Sequence, residues 1–278
     1  MFVDNKPFLE SDRPIALITG ASGGLGREFA KLLAHEGFRL ILLGRNEEKL
    51  SVVVQHLNAP TMIFELDFTA PLAIQQFDQW KKTHNIHIDL LINNAGWGKV
   101  ADVEHTTDSE ILSMIDVDIR AVTLLTRSVL EDMLHKQSGK ILNVASIASF
   151  LPCPGFTVYA ASKAYVLSFS EALREEVSGR NITVTALCPG PVDTDFWHRA
   201  GLISTRPFET FLLSPSRVAQ IGLAALFKGK AVCVPGIFNT ILVTLSGIAP
   251  RFLVRAICSK IIAWASQKNG KNLHFSKH

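Results

Sequence analysis

Tyr159 and Lys163 are four residues apart in a stretch that reads as a helix, so their side chains share one face. A tyrosine hydroxyl is a poor base near neutral pH, because its unperturbed pKa is about 10. An ammonium one turn away favours the phenolate and lowers that value. Ser146 follows an apolar run, Ile141-Leu142-Asn143-Val144-Ala145, that reads as a buried strand, and its hydroxyl can reach the same substrate oxygen as Tyr159. Together the three groups make an acid–base site for a carbonyl or an alcohol. Tyr-x-x-x-Lys alone is also a common solvated pair on a helix, so its meaning depends on the elements that would position it.

Those elements begin with Ile15-Ala16-Leu17-Ile18, a short apolar run that reads as a buried parallel strand. Gly20, Ser22, Gly23, Gly24, Leu25 and Gly26 follow, and then a helical stripe of Phe29, Leu32 and Leu33 that stops at Gly37. Strand, glycine-rich turn and helix form the context of a phosphate cradle. The glycines let the backbone approach a pyrophosphate, and the helix N-terminus supplies free N–H groups. The next strand, Leu40-Ile41-Leu42-Leu43, ends in Gly44-Arg45-Asn46 with no acid to hold a ribose 2′-hydroxyl. Arg45 instead offers a fork-shaped cation suited to a 2′-phosphate, which favours NADP over NAD. Met62 to Asp67 reads as a third strand, with Asp67 either capping the next helix or meeting an adenine amine. Asp89-Leu90-Leu91-Ile92 is a fourth, ending in Asn93-Asn94-Ala95-Gly96, where open α/β sheets bind ligands; the amides also suit tying neighbouring strands together. One long helix is expected from Ser109 to about Lys136, and another carries Tyr159 and Lys163. Ile182 to Leu187 is a sixth strand, followed by Pro189, Gly190, Val192 and Thr194. This alternation predicts an α/β, doubly wound parallel sheet with helices on both faces and no internal linker.

With these motifs in order, the chain resembles the short-chain dehydrogenase/reductase family. The resemblance rests on Thr-Gly-x-x-x-Gly-x-Gly (Gly20, Gly24, Gly26), Asn-Asn-Ala-Gly (93–96), Ser146, Tyr159 with Lys163, and Pro-Gly-x-x-x-Thr (Pro189, Gly190, Thr194), over about residues 14–235. It implies one Rossmann-type domain with a seven-stranded parallel sheet, NADP(H) binding, and hydride transfer between nicotinamide and a carbonyl or alcohol. It also implies that Tyr159 is the acid–base, that Lys163 binds the ribose and lowers the Tyr159 pKa, and that Ser146 positions the substrate oxygen. Thr194 and the loop before it would hold the nicotinamide amide, with Asn94, Ala95 and Gly96 beside the cofactor. One departure is Asp118, which stands where the family usually has a water-holding asparagine that relays protons to the lysine. A buried carboxylate there would pair with Lys163. A non-catalytic dinucleotide-binding sensor or scaffold is the competing reading, and Asp118 is the feature that favours it.

Apolar side chains are dense around Phe150, Leu151 and Phe156 and again from Phe196 to Leu213, including Trp197, Leu202, Ile203, Phe208, Phe211 and Leu212. An apolar carbonyl or alcohol substrate is therefore expected rather than a sugar. The 278 residues, 47% hydrophobic with a net charge of +3, favour a large core and give no reason to expect a nucleic-acid partner. Four dispersed cysteines form no Cys-x-x-Cys, and the first fourteen residues lack an apolar signal core. A reducing, cytoplasmic setting is expected, without a metal site or a disulfide framework.

Ala231 to Pro250 carries no charge, but Val232-Cys233-Val234-Pro235-Gly236 reads as a seventh strand and its exit. What remains is too short to span a bilayer. A C-terminal helical extension is expected over 237–278, whose segment Ile237 to Trp264 buries its apolar face on protein, above all a second copy of the chain, while Ser266 to His278 is polar. The long helices 109–136 and 156–179 supply the family's usual interface in a dimer or tetramer. The lesser alternative is that Arg251 to Trp264 lies in a membrane interface.

Overall fold

A computed structural model describes residues 6–9, 11–201 and 212–267. In chain order the elements are α1 (Lys6–Leu9), β1 (Ile15–Thr19), α2 (Gly24–His35), β2 (Arg39–Gly44), α3 (Glu47–Val54), β3 (Thr61–Glu65) and α4 (Ala73–Thr83). Next come β4 (Leu90–Asn93), α5 (Asp108–Ile115), α6 (Ala121–Lys136), β5 (Gly139–Val144), α7 (Thr157–Glu176) and β6 (Ile182–Leu187). The described chain ends with α8 (Phe196–Arg199), α9 (Pro215–Phe227), β7 (Val232–Cys233), α10 (Ile237–Ile248) and α11 (Arg251–Gln267).

The strands pair in parallel in the order β3-β2-β1-β4-β5-β6-β7. Their apolar residues divide by parity, as a strand buried on both faces requires. Leu17, Ile41, Leu91, Ile141 and Val184 pack with Phe77 of α4, Leu125 and Val129 of α6, and Leu173 of α7. Ile18, Leu42, Ile92, Leu142 and Leu187 pack on the other face with Phe29 of α2, Leu50 of α3, and Val218 and Leu226 of α9. Each such side chain taken fully from water is worth about 1.5–3 kcal/mol before the cost of ordering it. The strand order reverses between β1 and β4, so their carboxyl ends diverge and leave the crevice where ligands of open α/β sheets bind.

Three expectations take a more exact form. The helix expected over 109–136 runs without interruption as α5 and α6, with a π-helical turn at Asp116–Arg120 between them. Val117 and Asp118 of this turn are both buried. Strand β3 stops at Glu65, short of Asp67, whose Oδ1 accepts from the Thr69 amide and hydroxyl. Asp67 therefore caps a local turn and not α4, whose N-cap is Leu72. Strand β7 has only two residues. Leu202, Ile203, Phe208 and Phe211, the side chain of Trp264, and residues 268–278 lie outside the described residues.

Candidate active site

Strand β1 delivers Thr19 to the crevice, and Gly20 turns the chain with φ +62°, a left-handed conformation that glycine adopts without penalty. A Cβ on Gly20 would stand 2.9 Å from Ala95 Cα, so this turn and the β4 exit touch backbone to backbone. Asn94 fixes the contact: its Nδ2 donates to the carbonyls of Thr19 and Gly20, while its own N–H and that of Ala95 donate to Thr19 Oγ1. Asn93 takes the strand-tying role, donating to Asn143 Oδ1 on β5 and to Thr126 Oγ1 on α6. The N-cap of α2, Gly23, brings no side-chain hydrogen bond, so no side chain occupies the first-turn N–H groups. Uncapped amides beside a glycine turn suit an anion. A Cβ on Gly24 would meet Thr194 Cγ2 at 2.8 Å, which puts the loop after β6 directly over this turn.

Ser146 ends the β5 exit and caps the short 3₁₀ turn Ile147–Phe150, its Oγ accepting from the Ala148 amide. Ser149 Oγ donates to the Lys163 carbonyl, tying that turn to α7. Tyr159 stacks on Phe156 with ring centroids 4.2 Å apart and tilts against Phe196 at 5.4 Å. Burial, with Asp118 adding to it, pushes the Tyr159 hydroxyl above its ordinary range, while a hydrogen bond with Ser146 pulls the other way. Lys163 Nζ stands over the Tyr159 ring, 5.6 Å from its centroid, and in the protein by itself burial sets the direction of the shift, opposite to the lowering expected from Lys163. Tyr159 here holds its proton firmly, as an acid must.

Lys163 Nζ donates to the Val144 carbonyl and stands 3.9 Å from Asp118 Oδ2. Asp118 is wholly buried; its Oδ1 accepts from the Trp97 amide and its Oδ2 is 2.9 Å from Ser162 Oγ. Two effects oppose each other on this carboxyl. Burial raises its pKa, Lys163 and the hydrogen bonds lower it, and burial prevails. The distances agree, because Lys163 gives its hydrogen bond to a carbonyl and reaches Asp118 only at the limit of an ion pair. Gly96 makes room for this pair: a Cβ there would be 2.8 Å from Lys163 Nζ and 3.0 Å from Asp118 Oδ1.

These groups surround one cavity of about 1010 Å³. Gly20, Ser22, Gly23, Gly24, Leu25 and Arg45 line one part, and Asn94, Ala95, Gly96, Ser146, Tyr159 and Lys163 the middle. Pro189, Gly190, Val192 and Thr194 cover it. Three anticipated residues do not line it. Gly26 packs α2 against the turn, where a Cβ would meet Gly20 O at 2.4 Å. Asp118 lies beneath Lys163, and Asp67, between the lining residues Leu66 and Phe68, engages its Oδ1 in a local turn. The substrate side is apolar and aromatic, with Phe156, Phe196 and Trp197.

Sequence reasoning missed several neighbours. Gly98 is one, because a Cβ there would come 2.6 Å from Tyr159 Cδ2 and 2.8 Å from Phe156 Cε2. Cys258 of α11 is another, closing the cavity wall against Cys153. The contact with Cys258, together with burial, holds the Cys153 thiol above its ordinary range. No local signal marks either residue; only the folded chain brings them to the site.

Residues 14–202 match the family model described as short chain dehydrogenase. An uncharacterized oxidoreductase of Staphylococcus aureus strain USA300 is 32% identical over 219 residues, covering 78% of this chain and 93% of that one. Among solved structures, a short-chain dehydrogenase from Sphingobium yanoikuyae in complex with NADPH superposes with TM-score 0.75 at 26% identity, covering 84% of this chain and 94% of that one. A short chain dehydrogenase/reductase from Burkholderia phymatum in complex with NAD has TM-score 0.75 at 24% identity, covering 84% and 92%, a likeness of fold.

Proposed function

This chain belongs to the short-chain dehydrogenase family and is an oxidoreductase of it; on that premise we propose that it is an NADP(H)-dependent carbonyl reductase, or alcohol dehydrogenase in reverse, acting on an apolar substrate. One observation carries the reading: Ser146, Tyr159 and Lys163 meet in a single cavity whose one end is an uncapped glycine turn with Arg45 and whose other end is aromatic. The nicotinamide cofactor, when bound, supplies the hydride. The amides of Gly23, Gly24 and Leu25 would hold its pyrophosphate, Lys163 its ribose, and Pro189 to Thr194 its amide end. Tyr159 gives its proton to the substrate oxygen, and Ser146 orients that oxygen by a hydrogen bond. Phe156, Phe196 and Trp197 exclude water from the reacting carbonyl. The chain works as one unit, with pairing of copies through α5, α6 and α7.

Arg45 is exposed and directly follows β2, with no carboxylate at Gly44, Arg45 or Asn46 to compete for a ribose 2′-oxygen. A charge-assisted bond to a 2′-phosphate is worth about 1.5–3 kcal/mol. Arg45→Ala should therefore weaken NADPH binding by at least about tenfold and leave NADH within about twofold, as read by fluorescence titration. Equal or tighter binding of NADH by the unaltered protein would remove NADP preference from the proposal.

Burial favours the neutral form of Asp118 over the charged one. Ser162 has one hydroxyl proton and two acceptors in reach, Asp118 Oδ2 at 2.9 Å and the Tyr159 carbonyl at 2.8 Å. A protonated Asp118 donates to Ser162 Oγ and frees that proton for the carbonyl, so every partner is satisfied and the side chain has nearly the shape of asparagine. Asp118→Asn should then keep activity. The sign of its stability effect follows from the raised pKa. A carboxyl with a folded-state pKa above the unfolded one favours the fold at low pH, and that contribution fades as pH rises through the folded value. The asparagine variant should match the parent below about pH 4, the ordinary aspartate range, and exceed it increasingly above. An advantage of only about 1 kcal/mol shifts Tm by about 2–4 °C in a chain of this size. A variant less stable at neutral than at acid pH, relative to the parent, would show that the charged form is the one the fold needs.

A further inference from the structure

The outer faces of α10 and α11 form a continuous apolar surface that the rest of the described chain leaves in water. On α10 it consists of Ile237, Ile241, Leu245 and Ile248, exposed by 83%, 53%, 58% and 76%. On α11 it continues through Phe252, Ile257 and Ile261 at helical spacing. The opposite faces are anchored: Asn239, Val254 and Cys258 are buried, and Asn239 Nδ2 donates to the Pro235 carbonyl. The surface is therefore built into the fold, and it is larger in exposed apolar side chains than a solitary soluble domain ordinarily tolerates.

Charge decides what covers it. No Asp or Glu follows Glu209, whereas nine Lys or Arg do, so residues 1–209 are net acidic although the whole chain is +3. Arg251, Arg255 and Lys260 are exposed on α11 beside the apolar stripe. If a second copy covered this face about a two-fold axis, these cations would meet their own counterparts with no acid from either segment to answer them. An anionic lipid surface answers both features, taking the apolar side chains among its acyl chains and the cations at its headgroups. No helix among the described residues is long and apolar enough to cross a membrane, so the pair would lie on the surface.

We infer that α10 and α11 dock the protein on an anionic membrane, with the mouth of the cavity at the lipid. Phe238 and Ile261 belong both to the exposed face and to the cavity lining, so a docked chain opens its site toward apolar molecules dissolved in the bilayer. That delivery half rests on the proposed reductase; the docking half does not. This revises the expectation that a second copy covers the segment.

Flotation of the full chain with vesicles of phosphatidylcholine, alone or mixed with phosphatidylglycerol, tests it. The protein should float with the anionic vesicles, far less with the neutral ones, and progressively less as salt is raised. Arg255→Glu changes the local charge by two and should weaken partitioning by about thirtyfold. Leu245→Glu with Ile248→Glu should abolish flotation while reduction of a water-soluble ketone, which reports folding, stays unchanged. Absence of flotation, or equal flotation with neutral vesicles, would overturn the proposal. So would absence of flotation with a dimer that Leu245→Glu and Ile248→Glu convert to monomer in sedimentation, the mark of a second copy on this face.

Discussion

Tyr159→Phe is expected to cut ketone reduction by about 10²–10⁴-fold, the usual contribution of one positioned proton donor. The substitution removes one oxygen from a ring held by Phe156 and Phe196, so the packing that places the ring survives. The phosphate cradle lies at Gly20 to Leu25, on a different element, and NADPH affinity should stay within about twofold. Loss of rate with binding retained identifies the transferred proton. Retained rate would put the acid elsewhere, and loss of both would mean that the ring, and not its hydroxyl, is what the site requires.

Gly98→Ala should be nearly as damaging, although it changes no polar group. The added methyl would stand 2.6 Å from Tyr159 Cδ2, 2.8 Å from Phe156 Cε2 and 2.9 Å from Tyr159 Cγ. Gly98 does not have a positive φ, so the backbone accepts alanine and the rings must give way. Displacing an acid by about 1 Å can cost about 10²-fold in rate. The expected result is a fall of that order in kcat/KM with NADPH binding kept. Gly247→Ala is the control: it lies in α10 with nothing within 4 Å of the new atom, and alanine there should be neutral or stabilise by up to about 1 kcal/mol. An undisturbed rate in Gly98→Ala would show that the aromatic stack moves without consequence for the chemistry.

The parts of this fold that sequence makes plain are those determined locally. Ile182 to Leu187 is strand to the residue, because its β-branched Ile182, Thr183, Val184 and Thr185 alternate apolar and polar between a helix and a Pro-Gly loop. The glycine turn, Ser146, and the Tyr159–Lys163 spacing were legible for the same reason: each motif is a short piece of chain whose geometry is its own. What was hidden depends on distant residues. The π turn at Asp116–Arg120 has no compositional mark, although it carries the Asp118 that lies buried under Lys163. The turn that Asp67 makes with Thr69 carries no mark of its own, because an aspartate after a strand caps a turn as readily as it meets a ligand. Cys258 and Ile262 reach the cavity only because α11 folds back over the substrate side, a packing that no period in the sequence announces. The upward push on the Tyr159 pKa is hidden for the same reason: a lysine one turn away is a local feature, while burial on all sides is not.

The most direct measurement follows NADPH absorbance and product together while the purified chain is offered a panel of apolar ketones, aldehydes and quinones. Loss of NADPH matched one for one by alcohol, and absent in Tyr159→Phe, is the result predicted for a reductase built on Ser146, Tyr159 and Lys163. Saturable NADPH binding without oxidation by any member of the panel would contradict it and leave a dinucleotide-binding sensor or scaffold in its place.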